Sequence, residues 1–173
     1  MSAASHHNQT KAFEQIVRDH ASMISRIAST YERRPALVEE LVQEVLLALF
    51  RALPSFRAEA SLKTFIARIA HNVGVDHVRR ATRRPIEQDD AALEQIVDPA
   101  HNIEDKTDLS LARDRLLSAG RDLPVATRQG VSLHLEGFEN SDIAEVLGLT
   151  PVNVRVKLHR AKERLSQIME TGQ

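Results

Sequence analysis

Residues 139–165, ENSDIAEVLGLTPVNVRVKLHRAKERL, are the stretch on which the architecture turns. Ser141 can cap a short helix, with Asp142 and Glu145 in its first turn, where carboxylates suit the positive end of the helix dipole. Gly148 falls where that helix must stop in a left-handed cap. Thr150 followed by Pro151 then supplies a capping hydroxyl and a first-turn proline for the next helix. Two helices across a three-residue turn make a helix-turn-helix, and Ala144 is small where the pair must approach.

The second of these helices divides cleanly at 100° per residue. Val154, Leu158, Ala161, Leu165 and Ile168 fall on one stripe and face a core. The opposite side presents Val152, Val156, His159 and Arg160, flanked by Arg155 and Lys162. Two valines aimed away from a core fit a major groove, where apolar side chains meet thymine methyls while Arg and His reach base edges or phosphates. Lys157 and Arg164 lie nearer the core boundary, a position suited to phosphate contacts. A merely solvated basic face would require capping, turn spacing and outward valines to coincide. The segment reads duplex DNA.

The rest of the chain is also helical in pattern. Leu37, Leu41, Val45 and Leu49 recur every four residues, with Val42 and Leu46 beside them. After Pro54 breaks that helix, Ser61 can cap another whose stripe is Leu62, Phe65, Ile66, Ile69 and Val73. Phe13, Ile16, Val17, Ile24 and Ile27 mark an earlier helix behind a polar, frayed opening decapeptide. Gly74, inside the third helix, costs roughly 1 kcal/mol relative to Ala, and no local pattern explains it. From Arg83 the periodicity dissolves, and it resumes at Asp108.

Charge follows the same divisions. Residues 1–84 carry 13 Lys and Arg against 8 Asp and Glu, residues 85–107 carry 1 against 7, and residues 108–173 carry 9 against 9. The net charge of −1 therefore conceals an acidic segment between two basic or neutral blocks. The expected fold is all-α: two small helical domains, residues 1–84 and 108–173, joined by a flexible acidic linker at 85–107.

Several classes fall away. There are no cysteines, so neither disulfides nor thiolate metal sites are available, which suits a reducing cytoplasm. No run approaches the ~18 apolar residues of a membrane helix, and the opening lacks the layout of a signal peptide. The eight histidines are scattered, His71 and His77 lying on different faces of one helix, and no phosphate loop or paired-carboxylate site appears. No cofactor, no metal and no catalysis are expected.

The helix-turn-helix, with Leu123-Pro124 and Arg128-Gln129 ahead of it, resembles the C-terminal domain of the sigma-70 family. The likeness is strongest to the extracytoplasmic-function group, which keeps only the second and fourth conserved regions. IAEVLG at 143–148 and VRVKLHRAKERL at 154–165 carry it, while Val152, Asn153 and Val156 replace the Gly, Thr and Ser often found there. EELVQEVLLALFRALPSFRAEASLKTFIARIAHNVGVDHVRR, residues 39–80, resembles the second region.

The resemblance implies a bacterial sigma factor that binds core RNA polymerase and directs it to promoters, in a stress or envelope response. Glu40, Gln43 and Glu44 would dock on a coiled coil of the polymerase. Phe56, Arg57, Ser61, Thr64, Arg68, His71, Arg79 and Arg80 would capture and melt the −10 element. By helical projection Thr64, Arg68, His71, Val75 and Arg79 face away from the core stripe and, with Arg80, Arg83 and Arg84, form a basic track. Only Phe56 and Phe65 offer aromatic rings here, and Phe65 is core-facing, which implies weak melting and stringent promoters. Val152, Asn153, Arg155, Val156, Lys157, His159, Arg160 and Lys162 would read the −35 element. Promoter DNA, core polymerase and an anti-sigma factor are the implied partners, with no membrane insertion. The competing reading is a helix-turn-helix regulator acting without polymerase, which leaves residues 39–80 unexplained.

Overall fold

The computed structural model describes the backbone of residues 2–83 and 123–171 and the side chains of residues 10–81 and 123–167. The acidic segment 85–107, the start of the second helical pattern at Asp108, the side chain of Arg83, and Arg84 and Ile168 as contact residues lie outside these. Within the described residues there are helices and no strands. They are α1 (Ser2–Ala28), α2 (Pro35–Ala52), α3 (Leu62–Arg83), α4 (Val125–Leu135), α5 (Asn140–Leu147) and α6 (Pro151–Thr171). A single 3-10 turn, Leu53–Ser55, carries Pro54 at the end of α2. The all-α class read from the sequence is the class observed.

Helix α1 begins at Ser2, so the backbone of residues 2–10 is helical where a frayed opening was expected. The first proline in the chain is Pro35 and the first glycine Gly74, so nothing in the opening residues interrupts a helix. Met23, Ile24 and Ile27 from α1, Leu41, Val45 and Leu49 from α2, and Phe65 and Ile66 from α3 are buried together. All but Met23 belong to the predicted stripes, and they make a three-helix N-terminal lobe. In the C-terminal lobe Leu133, Phe138, Ile143, Val146 and Val154 are buried, with Leu123, Ala161 and Leu165 in a smaller cluster at the far end.

The two lobes are not separate beads. Met23, Ile24, Phe65, Ile66, Ala67 and Ala70 share one continuous apolar cluster with Leu133, Phe138, Ile143 and Val146. Helix α3 packs on α5, and α1 touches α4. Helix α3 is therefore buried on two faces, one against its own lobe and one against the other. Small residues, Ala67 and Ala70, let the second face approach closely.

Gly74 now has a reason. A Cβ at this position would lie 2.5 Å from the Tyr31 ring, which rests on the bare backbone of α3. The Tyr31 hydroxyl in turn hydrogen-bonds His71 Nδ1, one turn earlier on the same helix.

Candidate nucleic-acid interface

The helix-turn-helix is built from α5 and α6. Gly148 ends α5 at φ 64° and ψ 36°, the left-handed conformation that a Cβ would disfavour. The Leu149 amide then closes on the Ala144 carbonyl at 2.9 Å. Thr150 Oγ1 accepts the Asn153 amide at 3.2 Å, and Pro151 occupies the first turn of α6, as expected. The start of α5 differs from expectation. Its N-cap is Glu139, without a side-chain hydrogen bond, and Ser141 lies inside the first turn with Asp142. Glu145 sits one turn further on and serves an interaction across the lobes, described below.

On α6, Val154, Ala161 and Leu165 are buried and Leu158 half-buried. Val152 and Val156 are 58% and 43% exposed, on a face shared with exposed Asn153, Arg155, His159, Arg160 and Lys162. Lys157 is half-buried at the margin, whereas Arg164 is fully on the exposed side. His159 lies 3.5 Å from Glu163 one turn on. Apolar centre and cationic rim together form a protruding ridge of the size a major groove accepts.

Helix α2 presents a second surface. Glu40, Gln43 and Glu44 are all exposed on one side, opposite the fully buried Leu41, Val45 and Leu49. Sequence reading missed what lies beside them. Leu47 is 51% exposed and Phe50 39%, the Phe50 ring meeting Phe13 edge-on at 5.1 Å. A protein partner that pairs with the carboxylates could also desolvate these two side chains. Their signal was Leu47 at helical spacing from Gln43 and Glu44, hidden within a continuous apolar run.

The third surface, α3 and the loop before it, is less open than projection implied. Ser61 caps α3 as expected, its Oγ accepting the Thr64 amide at 3.0 Å. Thr64 itself is 1% exposed and bonded to Ser61 Oγ at 2.9 Å, so it does not face outward. His71 is half-buried against Tyr31, and burial holds its imidazole below the ordinary value. Both were expected to point at solvent; Thr64 instead turns to the Ser61 cap, and His71 lines one small cavity with Gln129 and Ser132 of the second lobe. Phe56 is half-buried, its ring 4.9 Å from that of Phe65, so only part of its surface is free. Arg57, Arg68, Arg79 and Arg80 are exposed. Ala58, in the same loop, holds a φ of 57°, a strained conformation for a residue with a Cβ.

The exposed cations of α3 are already engaged. Arg68 Nη1 lies 3.1 Å from Glu145, and Arg79 is 3.7 Å from Asp76. Arg80 Nη2 lies 2.6 Å from Glu44, which joins the expected strand-holding helix to the expected polymerase-docking stripe. Behind them, Glu32 gathers the Arg33 and Arg34 amides, the Arg34 guanidinium and His77 Nε2. Partial burial works to raise its carboxyl, but these hydrogen bonds outweigh it and hold the group at about 2. Among the described residues no cluster of three His, Asp or Glu side chains could hold a metal ion. No described helix is long and apolar enough to cross a membrane.

A two-lobed all-α chain with an exposed helix-turn-helix, an exposed acidic stripe on α2 and a cationic helix belongs to the class of DNA-reading transcription proteins. The family profiles for Sigma-70 region 2 and Sigma-70, region 4 match residues 16–84 and 113–165. The chain is 28% identical over 159 residues to the ECF RNA polymerase sigma factor SigM of Mycobacterium tuberculosis, covering 91% of this chain and 77% of that one. It is 27% identical over 163 residues to the ECF RNA polymerase sigma-E factor of Escherichia coli, covering 90% and 85%. In structure it is similar to the sigma factor RpoE solved with the anti-sigma factor NepR from Bartonella quintana, with TM-score 0.74, 21% identity and 94% and 99% coverage. It is also similar to CnrH solved with the cytosolic domain of CnrY, with TM-score 0.64, 24% identity and 95% and 91% coverage. The chain belongs to the sigma-70 family, in its extracytoplasmic-function group, and acts as an RNA polymerase sigma factor in transcription initiation.

Proposed function

We propose that residues 1–84 hold core polymerase and the −10 element while residues 108–173 read the −35 element, with the acidic segment 85–107 as the connection. The observation that carries this is the outward pair Val152 and Val156 on α6. They stand exposed among Arg155, His159 and Arg160, while Val154, Ala161 and Leu165 fill the core behind them. The valines select thymine-bearing positions by methyl contact and the arginines take guanine edges or phosphates.

On the polymerase side, Glu40, Gln43 and Glu44 pair with a basic helix, and Leu47 and Phe50 bury against it. Arg57 of the loop before α3 and Arg68, Arg79 and Arg80 of α3 steer the separating strand, and Phe56 of that loop offers the ring for an unpaired base. With a single partly covered ring, melting is weak and a promoter must match closely. The similar sigma factor RpoE was solved with the anti-sigma factor NepR, and an anti-sigma factor covering the α2 stripe is the regulator expected here. A stress or envelope signal and a cytoplasmic site of action fit this group.

Footprinting with reconstituted holoenzyme tests the proposal. Protection of two promoter boxes that requires both core polymerase and this chain is expected. Initiation at the same start site by core polymerase alone would overturn it.

A further inference from the structure

Tyr31 and His71 behave as one unit. The Tyr31 ring lies on the bare backbone of α3 at Gly74, and its hydroxyl meets His71 Nδ1, one turn before that glycine. The two rings are 6.0 Å apart and tilted by 58°. Burial pushes the Tyr31 phenol above its ordinary 10, so it keeps its hydrogen at neutral pH. A half-buried O–H needs an acceptor, and among the described residues its partner is His71 Nδ1. Tyr31 therefore donates, and Nδ1 is held bare.

The tautomer follows. A neutral imidazole carries one hydrogen, which in His71 must then lie on Nε2. Protonating the ring would set a hydrogen on Nδ1 against the phenol hydrogen and force the hydroxyl to turn away. Nothing around the ring favours that charge. The small cavity that His71 lines takes side chains from α1, the turn after it, α3, α4 and α5. Tyr31 is the only other titratable one among them, and none is a carboxylate or a cation. On α3 itself, Arg68 stands one turn earlier and is paired with Glu145 of α5.

Placement gives this donor a use. His71 lies on the side of α3 that carries Arg68 before it and Arg79 after it, both exposed. Those guanidiniums donate to any phosphate, whatever the base attached to it. A single directed N–H between them discriminates, because it is satisfied by an acceptor and not by another donor. We infer that Tyr31 is a positioning residue which fixes His71 as an Nε2 donor, and that this donor takes a carbonyl oxygen or ring nitrogen on the edge of an unpaired base. The inference rests on the proposed function, which gives α3 the separating strand. A base that turned an amino group to Nε2 would leave two donors facing each other without an acceptor. His71 thus adds base selection to a surface otherwise made of cations. Gly74 belongs to the device, since a Cβ there would displace the Tyr31 ring and its hydroxyl with it.

Nitrogen NMR of the full chain labelled in histidine reads the tautomer directly. At about pH 7.5 His71 should show a hydrogen on Nε2 and a bare Nδ1. Tyr31→Phe leaves the ring on Gly74 and removes only the hydroxyl. It should admit the other tautomer and move the His71 titration up, whereas burial alone would leave both as they are. With reconstituted holoenzyme, a single strand spanning the footprinted −10 box is then varied one base at a time. Tyr31→Phe should weaken the preferred strand roughly threefold and flatten the preference at one position. His71→Ala should flatten the same position. In a His71→Gln background Tyr31→Phe should change nothing further, whereas a packing role of Tyr31 would persist there. A hydrogen on Nδ1 in the parent overturns the inference. So does a base preference that survives His71→Ala, or a loss from Tyr31→Phe that is equal in both backgrounds. The spectrum needs neither polymerase nor promoter and the footprint uses the parent chain, so failure here and failure of the proposed function are separable.

Discussion

Helices α3 and α6 are nearly equal in length, 22 and 21 residues, and both carry cations opposite an apolar stripe. They end in different situations. Helix α6 keeps Val152, Val156 and Arg160 in the open, because its lobe covers only one side of it. Helix α3 is enclosed by its own lobe through Phe65 and Ile66 and by the other through Ala67 and Ala70. Periodicity reports the face a helix turns to its nearest neighbours. Whether the opposite face meets solvent depends on partners far away in the chain.

Substitutions can break this comparison. The largest effect is expected from Ile66→Ala, fully buried on α3, at about 2–5 kcal/mol of stability in urea unfolding. Val152→Ala on α6 should stay within about 0.5 kcal/mol in the same assay while changing which promoter is preferred. If Ile66→Ala is as mild as Val152→Ala, the enclosure of α3 is wrong. Next comes Gly74→Ala, which drives a methyl into the Tyr31 ring and should cost about 1–3 kcal/mol. An open helix position would instead gain about 1 kcal/mol from the same change. The sign of the effect decides between them.

Arg160→Ala should weaken holoenzyme binding at the −35 box by about 1–3 kcal/mol if it takes a base edge, and should relax preference at one position. A competition footprint reads both. Unchanged affinity and preference would remove Arg160 from the reading face.

The acid limb probes the loop between α1 and α2, which Glu32 ties to α3 through His77. Its carboxyl lies at about 2 in the folded chain against an ordinary 4.5, so the native state binds fewer protons. The stabilisation is fully present above pH 4.5 and is lost as pH falls through about 2. Urea midpoints of the parent and Glu32→Gln should therefore differ most above pH 4.5 and converge towards pH 2. A constant gap would contradict this. Smallest of all, Ala58→Gly should relieve left-handed strain in the loop before α3 and raise stability by less than about 1 kcal/mol, because glycine also loses more entropy on folding.

Much of the site was legible from local chemistry. Gly148, Thr150 and Pro151 each act through neighbours within a few residues, so their roles in the turn could be read directly. The same holds for Ser61 capping α3. Ser141 was misplaced by two positions, because Glu139 starts α5 through its backbone alone and leaves no side-chain signal. His71 was projected outward, since nothing near it in sequence announces that Gln129 and Ser132 approach from more than fifty residues away, and Thr64 because projection does not register its bond to the Ser61 cap. Leu47 was concealed for a different reason: one leucine among many looks like core until a neighbouring helix fails to cover it.

By itself the sequence determined that the chain is helical, where its principal helices stop, and that α6 turns valines and arginines outward from a small core. Those outcomes rest on caps, prolines and a period of 3.6 residues, all of which act over one or two turns. The tertiary structure alone decided that Tyr31 lies on Gly74, that Glu44 engages Arg80, and that Glu136 and Glu145 engage Arg26 and Arg68. Contacts between side chains so far apart in sequence depend on how whole helices approach, and that geometry leaves no periodic trace in either partner.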